Sequence, residues 1–132
     1  MFGPAGRAYV YFTYGMHWMF NVVTGQEGEA NAVLIRALEP LEGEPLMSRH
    51  RGRPRTEWTD GPAKLAQALA IDKDLNGAQL CAHAGVIWIE DEPVVPDERV
   101  ATGPRIGLGS TPEPWLSMPW RYWIKDNGFV SR

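Results

Sequence analysis

The stretch Tyr9–Asn21, YVYFTYGMHWMFN, decides how this chain folds. It carries seven aromatic or imidazole side chains, Tyr14 among them, and centres on the pair Tyr14-Gly15. Before the pair, Val10, Tyr11, Phe12 and Thr13 are β-branched or aromatic and suit a pleated strand. After it, Met16 to Val23 is again apolar and compatible with a two-residue period. Gly15 supplies the positive φ that a tight hairpin turn needs. A two-residue Tyr14-Gly15 turn sets Thr13 opposite Met16, Tyr11 opposite Trp18 and Tyr9 opposite Phe20 on one face. Val10, Phe12, His17, Met19 and Asn21 then occupy the other face. Tyr14 stands at the tip, where small polar residues are usual. An exposed ring gains nothing from burial, so this one points to something outside the protein that receives it.

Working outward, Thr24–Asn31 is a polar, glycine-containing loop. Ala32–Leu38 (AVLIRAL) is apolar on both faces apart from Arg36, which predicts a third strand in the centre of the sheet. Residues 40–59 hold prolines and many charges without a sustained period. They read as a variable surface linker with a turn of helix near Leu46. Asp60-Gly61-Pro62 opens a helix, with Asp60 as its N-cap and Leu65, Ala66, Ala68, Leu69 and Ile71 as the buried stripe. Gly85–Glu90 reads as a strand, Arg105–Leu108 as a short strand, and Trp120–Lys125 (WRYWIK) as the last. The expectation is an α+β fold. It is a single mixed domain over 1–132, built on a mostly antiparallel, curved β-sheet with few helices.

Composition bounds the function. With 132 residues, 44% hydrophobic and 11% aromatic, the chain can bury one core. A net charge of −3 argues against a protein that coats polyanions indiscriminately, so any nucleic-acid contact must be local. Cys81 is the only cysteine, which removes disulfides and cysteine-based zinc sites and fits a reducing cytoplasm. The apolar run Ala8–Val23 is too short and interrupted to span a bilayer, and no secretory signal is visible.

Motifs for stand-alone chemistry are missing. His17, His50 and His83 lack metal-ligand spacing, so no metal is expected. Neither a Walker A motif nor GxGxxG nor GxSxG occurs, and Cys81 has no evident base partner. Two features stay open. Arg49–Arg55 (RHRGRPR) is either a solvated loop or a phosphate-contacting patch. Arg36, a charge within an apolar strand, is either half of a structural ion pair or the group that orients a carboxylate or water in a site.

Taken together, MFGPAGRAYVYFTYGMHWMFNVV, AVLIRALEPLEG, TDGPAKLAQALAI and the region of RIGLG resemble the 3-methyladenine (alkyladenine) DNA glycosylase family, in order and over nearly the whole chain. The resemblance implies a base-excision repair enzyme. Such an enzyme hydrolyses the N-glycosidic bond of alkylated or deaminated purines after base flipping, in one α/β domain with no cofactor or metal. By motif, Tyr14 resembles the wedge that intercalates where the nucleotide leaves. Tyr11 and Asn21 resemble the base pocket, the first as a stacking wall for an electron-poor purine and the second as the discriminator against the guanine amino group. Arg36 resembles the arginine that positions the attacking water, and Ile106 a residue whose main-chain carbonyl also holds it. Arg49, Arg51, Arg53, Arg55 and Lys64 are candidate DNA-backbone contacts on charge alone. The implied partner is damaged double-stranded DNA rather than a membrane. The implied state is a monomer in the cytoplasm, associated with the nucleoid if prokaryotic.

The pattern is incomplete in one respect. The family's general-base glutamate, with a second tyrosine and a histidine of its base pocket, lies upstream of the Met-Phe at which this sequence starts. The resemblance therefore implies that Met1 is internal to a longer protein. It also implies that this chain lacks the general base, has little activity, and exposes an unpaired sheet edge. The alternative is a catalytically dead DNA-binding fragment.

Overall fold

The computed structural model describes residues 1–131. Strands β1 (Ala8–Thr13) and β2 (His17–Val23) form the antiparallel hairpin, and β3 (Ala32–Leu34) adds to β2 in the order β1-β2-β3. A separate antiparallel ribbon pairs β4 (Val100–Gly103) with β5 (Arg121–Ile124). Two helices, α1 (Glu44–Arg51) and α2 (Pro62–Ala68), complete an α+β domain. Among the described residues no helix is long and apolar enough to cross a membrane.

The hairpin forms, but its register differs by one residue from that of a two-residue turn. Thr13 faces His17, Phe12 faces Trp18, Tyr11 faces Met19, Val10 faces Phe20 and Tyr9 faces Asn21. The loop holds three residues, because Met16 turns back to donate its N–H to the Thr13 carbonyl at 3.2 Å rather than joining the ladder. Tyr14 and Gly15 both sit at positive φ, 52° and 66°. Two successive positive values are the signature of the tight turns whose twist matches a hairpin. The side-chain period of a strand is two, so this one-residue slip moves every β2 side chain to the other face.

One face of the hairpin builds the main core. Ala8, Val10 and Phe20 pack with Leu65 and Ala66 of α2 and with Ile71 and Leu80. Leu65 and Leu80 are wholly buried. The outer edge of β1 is covered in turn: the Val10 N–H donates to Asn76 Oδ1 at 2.9 Å and the Ala8 N–H to the Ala78 carbonyl at 2.9 Å. Segment 40–59 contains α1, and its Met47 and Trp58 form a second buried cluster with Ala68. The Trp58 indole N–H donates to the Arg53 carbonyl.

Four sequence expectations are corrected. The third strand lies at the edge of its sheet and stops at Leu34, because β2 has β1 on its other side and occupies the centre. Asp60 does not cap α2. Gly61 holds that place without a side-chain bond, and Asp60 is engaged by the Lys64 ammonium. Gly85–Glu90 is not a strand: it meets no partner edge, and its only ladder-like bond runs from the Ile89 N–H to the Leu80 carbonyl. Arg105–Leu108 likewise stays irregular beyond the end of β4.

Candidate functional site

The corrected register brings together residues that the expected one separated. Tyr9, Tyr11, Met19 and Asn21 share the hairpin face opposite the main core, since Tyr11 faces Met19 and Tyr9 faces Asn21. With a two-residue turn, Tyr11 and Asn21 would lie on opposite sides of the sheet. The ladder continues through Asn21–Leu34 and through the bond from the Ile35 N–H to the Phe20 carbonyl. Arg36, two residues after Leu34, therefore falls on the same face as Asn21.

That face deepens away from the turn. Tyr14 at the tip is 79% exposed, Tyr11 37% and Asn21 6%. The Asn21 amide Nδ2 donates to the Tyr9 carbonyl at 3.1 Å, which fixes the plane of its amide. The rings of Tyr9 and Tyr11 lie 5.3 Å apart, tilted by 31°. Burial, then the neighbouring phenols of Tyr9 and Tyr14, push the Tyr11 phenol above its ordinary range. The phenol thus stays a neutral donor.

A second element adjoins this face. A cavity of about 410 Å³ opens between residues 33–39 and β5, walled by Arg36, Ile106, Trp120, Arg121, Trp123 and Phe129 among others. Arg36 and Ile106, paired by the sequence reading, both line it. Burial and then the charge of Arg121 lower the Arg36 guanidinium from its ordinary value. Arg36 takes part in none of the ion pairs among the described residues, which join Arg55 to Glu44, Lys64 to Asp60, Lys73 to Asp74 and His83 to Glu90. Arg36 is thus a half-buried guanidinium without an ion-pair partner among the described residues, in a lining that also holds Arg121 and Glu39.

The basic patch divides in two. Arg51 hydrogen-bonds the Gln67 side chain and the Glu57 carbonyl. Arg55 binds Glu44 and the Pro40 carbonyl, and its guanidinium lies 5.0 Å from the Phe129 ring centre. Lys64 pairs with Asp60 at 2.9 Å. Arg49 and Arg53 are exposed, and their side chains make no hydrogen bond or ion pair among the described residues. No group of three or more His, Cys, Asp or Glu side chains is placed to hold a metal among the described residues.

Sequence reasoning passed over Arg121, Glu39 and Asn127, which line the same cavity. Arg121 carried a usable signal, a charge inside the aromatic strand WRYWIK, of the kind that singled out Arg36. Glu39 and Asn127 carried none, because their bond, Asn127 Nδ2 to Glu39 Oε2 at 3.0 Å, joins distant parts of the chain.

Comparison with known proteins gives a consistent picture. The family described as Methylpurine-DNA glycosylase (MPG) matches residues 1–128. The chain is 46% identical to a protein of Chlorobaculum parvum named "Putative 3-methyladenine DNA glycosylase", covering 99% of this chain and 60% of that protein. It is 48% identical to a relative of the same name from Carboxydothermus hydrogenoformans, covering all of this chain and 67% of the relative. A third, from Methanocella arvoryzae, is 45% identical, with all of this chain and 65% of the relative covered. The chain thus spans roughly two thirds of the length of the relatives it matches.

Proposed function

The chain belongs to the methylpurine-DNA glycosylase family, and from that premise we propose that it serves excision of alkylated or deaminated purines, 3-methyladenine among them, from duplex DNA. The carrying observation is geometric: Tyr11, Asn21 and Arg36 share one face of the sheet below the exposed tip residue Tyr14, with Asn21 the deepest and the register setting Arg36 level with Met19 and Tyr11.

Each residue has a physical task. Tyr14 intercalates in the minor groove, where its ring replaces stacking lost by the extruded nucleotide and offsets part of the unstacking cost of a few kcal/mol. Tyr11 presents a π face to the flipped purine, and a cationic alkylpurine is drawn to it most. Asn21, with its amide plane fixed, fills the depth of the pocket where a guanine amino group would need room. Arg36 and the main-chain carbonyl of Ile106 hold the water that attacks C1′ of the sugar. The C1′–N bond breaks as the C1′–O bond forms. A cationic alkylpurine departs neutral, taking the bond's electron pair, so it needs little acid assistance. The water's proton passes to a carboxylate, which the family resemblance assigns to a glutamate upstream of the matched motif. Arg49 and Arg53 contact phosphates.

A second reading is DNA recognition without excision by these 132 residues. It is favoured by the lack of any carboxylate paired with Arg36 among the described residues. The test uses duplexes carrying 3-methyladenine, hypoxanthine or ethenoadenine, and measures binding and base release side by side. Tight lesion-dependent binding that falls about tenfold or more in Tyr14→Ala supports the shared recognition mode. Base release decides between the two readings. Equal affinity for lesion and intact duplexes, unchanged in Tyr14→Ala, sinks both.

A further inference from the structure

We propose that Trp115 and Trp120, with Arg105, form a stacking shelf for unpaired bases, and that the chain uses it to bind single-stranded DNA independently of any lesion. The shelf lies in the segment that joins β4 to β5. Its two indole rings stand 5.6 Å apart, tilted by 42°. The Arg105 guanidinium lies 5.1 Å from the centre of the Trp120 ring and donates to the Trp115 carbonyl at 3.2 Å. One cation thus ties both tryptophans together.

The loop carries its own internal ties. The Glu113 carboxylate accepts from the Ser117 hydroxyl at 2.6 Å and from the Ser117 N–H at 3.2 Å. The Met118 N–H donates to the Pro114 carbonyl and the Trp120 N–H to the Met118 carbonyl. Groups held in place before a ligand arrives lose less entropy on binding it. These ties do not bury the rings, since Trp115 is 48% exposed and Trp120 44%. A cluster that served only to close the loop would cover its aromatic surface, which is the largest apolar area it has. Two rings held in place yet left in water fit a ligand that is itself flat.

Charge names the ligand. Residues 99–125 hold Arg99, Arg105, Arg121 and Lys125 against the single carboxylate Glu113, in a chain whose net charge is −3. None of the four cations takes part in an ion pair among the described residues. Arg99 and Lys125 mark the end of the ribbon that adjoins Asp97, Glu98 and Asp126 in sequence. Arg121 pairs with Gly103 at the opposite end, and Arg105 follows two residues later. The surplus of positive charge therefore collects at the end that bears the tryptophans. Exposed rings beside cations are the means by which proteins hold single strands, with bases stacking and phosphates meeting the charge. A duplex keeps its bases stacked on one another and offers such rings no face. Trp120 also lines the cavity that holds Arg36, whereas Trp115 and Arg105 do not, so the shelf starts beside the candidate site and runs away from it. The inference does not rest on the excision reading, because its ligand carries no lesion.

The test compares a fluorescently labelled oligothymidylate with a lesion-free duplex of the same length, each titrated with the 132-residue chain and followed by anisotropy. The single strand is expected to bind about tenfold more tightly or better. Trp115→Ala should weaken it on the order of tenfold, while Trp115→Phe, which keeps a ring, should retain most of the affinity. Trp88→Ala, which removes an exposed indole elsewhere, should leave it unchanged. In Arg105→Gln the fall of log affinity with log salt should become shallower by about 0.7, the share of one phosphate contact on a single strand. In the native chain, nuclear magnetic resonance should show the indole N–H signals of Trp115 and Trp120 shifting on titration, with that of the buried Trp58 unmoved. The proposal is overturned if the duplex binds as well as the single strand, or if the two indole signals stay in place. It is equally overturned if Trp88→Ala costs as much as Trp115→Ala, since any exposed tryptophan then serves.

Discussion

Residues 1–80 and residues 81–131 are built to different standards. The first region holds the three-stranded sheet, both α-helices and both buried clusters, with Leu65 and Leu80 sealed from solvent. In the second, Phe129 is the one buried apolar side chain among the described residues, while Trp88, Trp115, Trp120 and Tyr122 stay more than a third exposed. Composition does not explain the contrast, since the second region is rich in tryptophan. What differs is partnership. The N-terminal hairpin has a helix on one face and segment 76–80 along its edge, whereas the ribbon β4–β5 pairs with no further strand among the described residues and forms one wall of an open cavity. Apolar residues stabilise a fold only where something packs against them.

The largest test of this contrast is a pair of truncations. Leu65→Ala should cost about 2–5 kcal/mol in denaturant unfolding, as a fully buried leucine leaves a cavity. Tyr122→Ala, in the ribbon, should stay within about 0.5 kcal/mol. Equal costs would show that the ribbon carries as much of the core as the hairpin does. Asn76→Ala should cost about 1 kcal/mol by leaving the Val10 N–H without its partner. Its amide should then exchange faster while those of β5 do not change.

Tyr14→Gly separates stability from recognition inside the well-built region. The φ of 52° strains any residue with a Cβ, so glycine should raise stability by up to about 1 kcal/mol. The same variant should lose affinity for lesion duplexes. A stabilised variant that binds as well as the native chain would end the wedge assignment. The smallest effect is with pH. The Tyr11 phenol is raised above 10.0 in the folded chain, so the folded state holds its proton more firmly than the unfolded one. That contribution is complete below pH 10.0 and is lost as pH rises through the folded value. Tyr11→Phe should flatten the alkaline fall in stability slightly, because the residue is partly exposed.

Much of this was legible in the sequence, and the rest was hidden for identifiable reasons. The hairpin, the helix after Gly61-Pro62 and the strand in WRYWIK declare themselves by local period and punctuation. The register did not, because Met16 is a good strand residue and only the backbone geometry shows that it belongs to the turn. Gly85–Glu90 has strand composition but no edge to pair with, and pairing is invisible to a local reading. For the candidate site, Tyr11, Asn21 and Arg36 were singled out by motif. Their shared face was not, since it depends on that same register. Arg51, Arg55 and Lys64 looked like free charge because their acceptors lie in folded contacts.

The three-residue turn acts as a parity bit for the whole hairpin. Removing one residue from the loop would hand Trp18 and Phe20 to the side that now carries Tyr11, and turn Asn21 inward against α2. Substitutions at the tip alter one exposed side chain, whereas a single insertion or deletion exchanges the interior and the working surface of β2. Natural variation and engineered libraries should therefore show a tip that is freer in composition than in length.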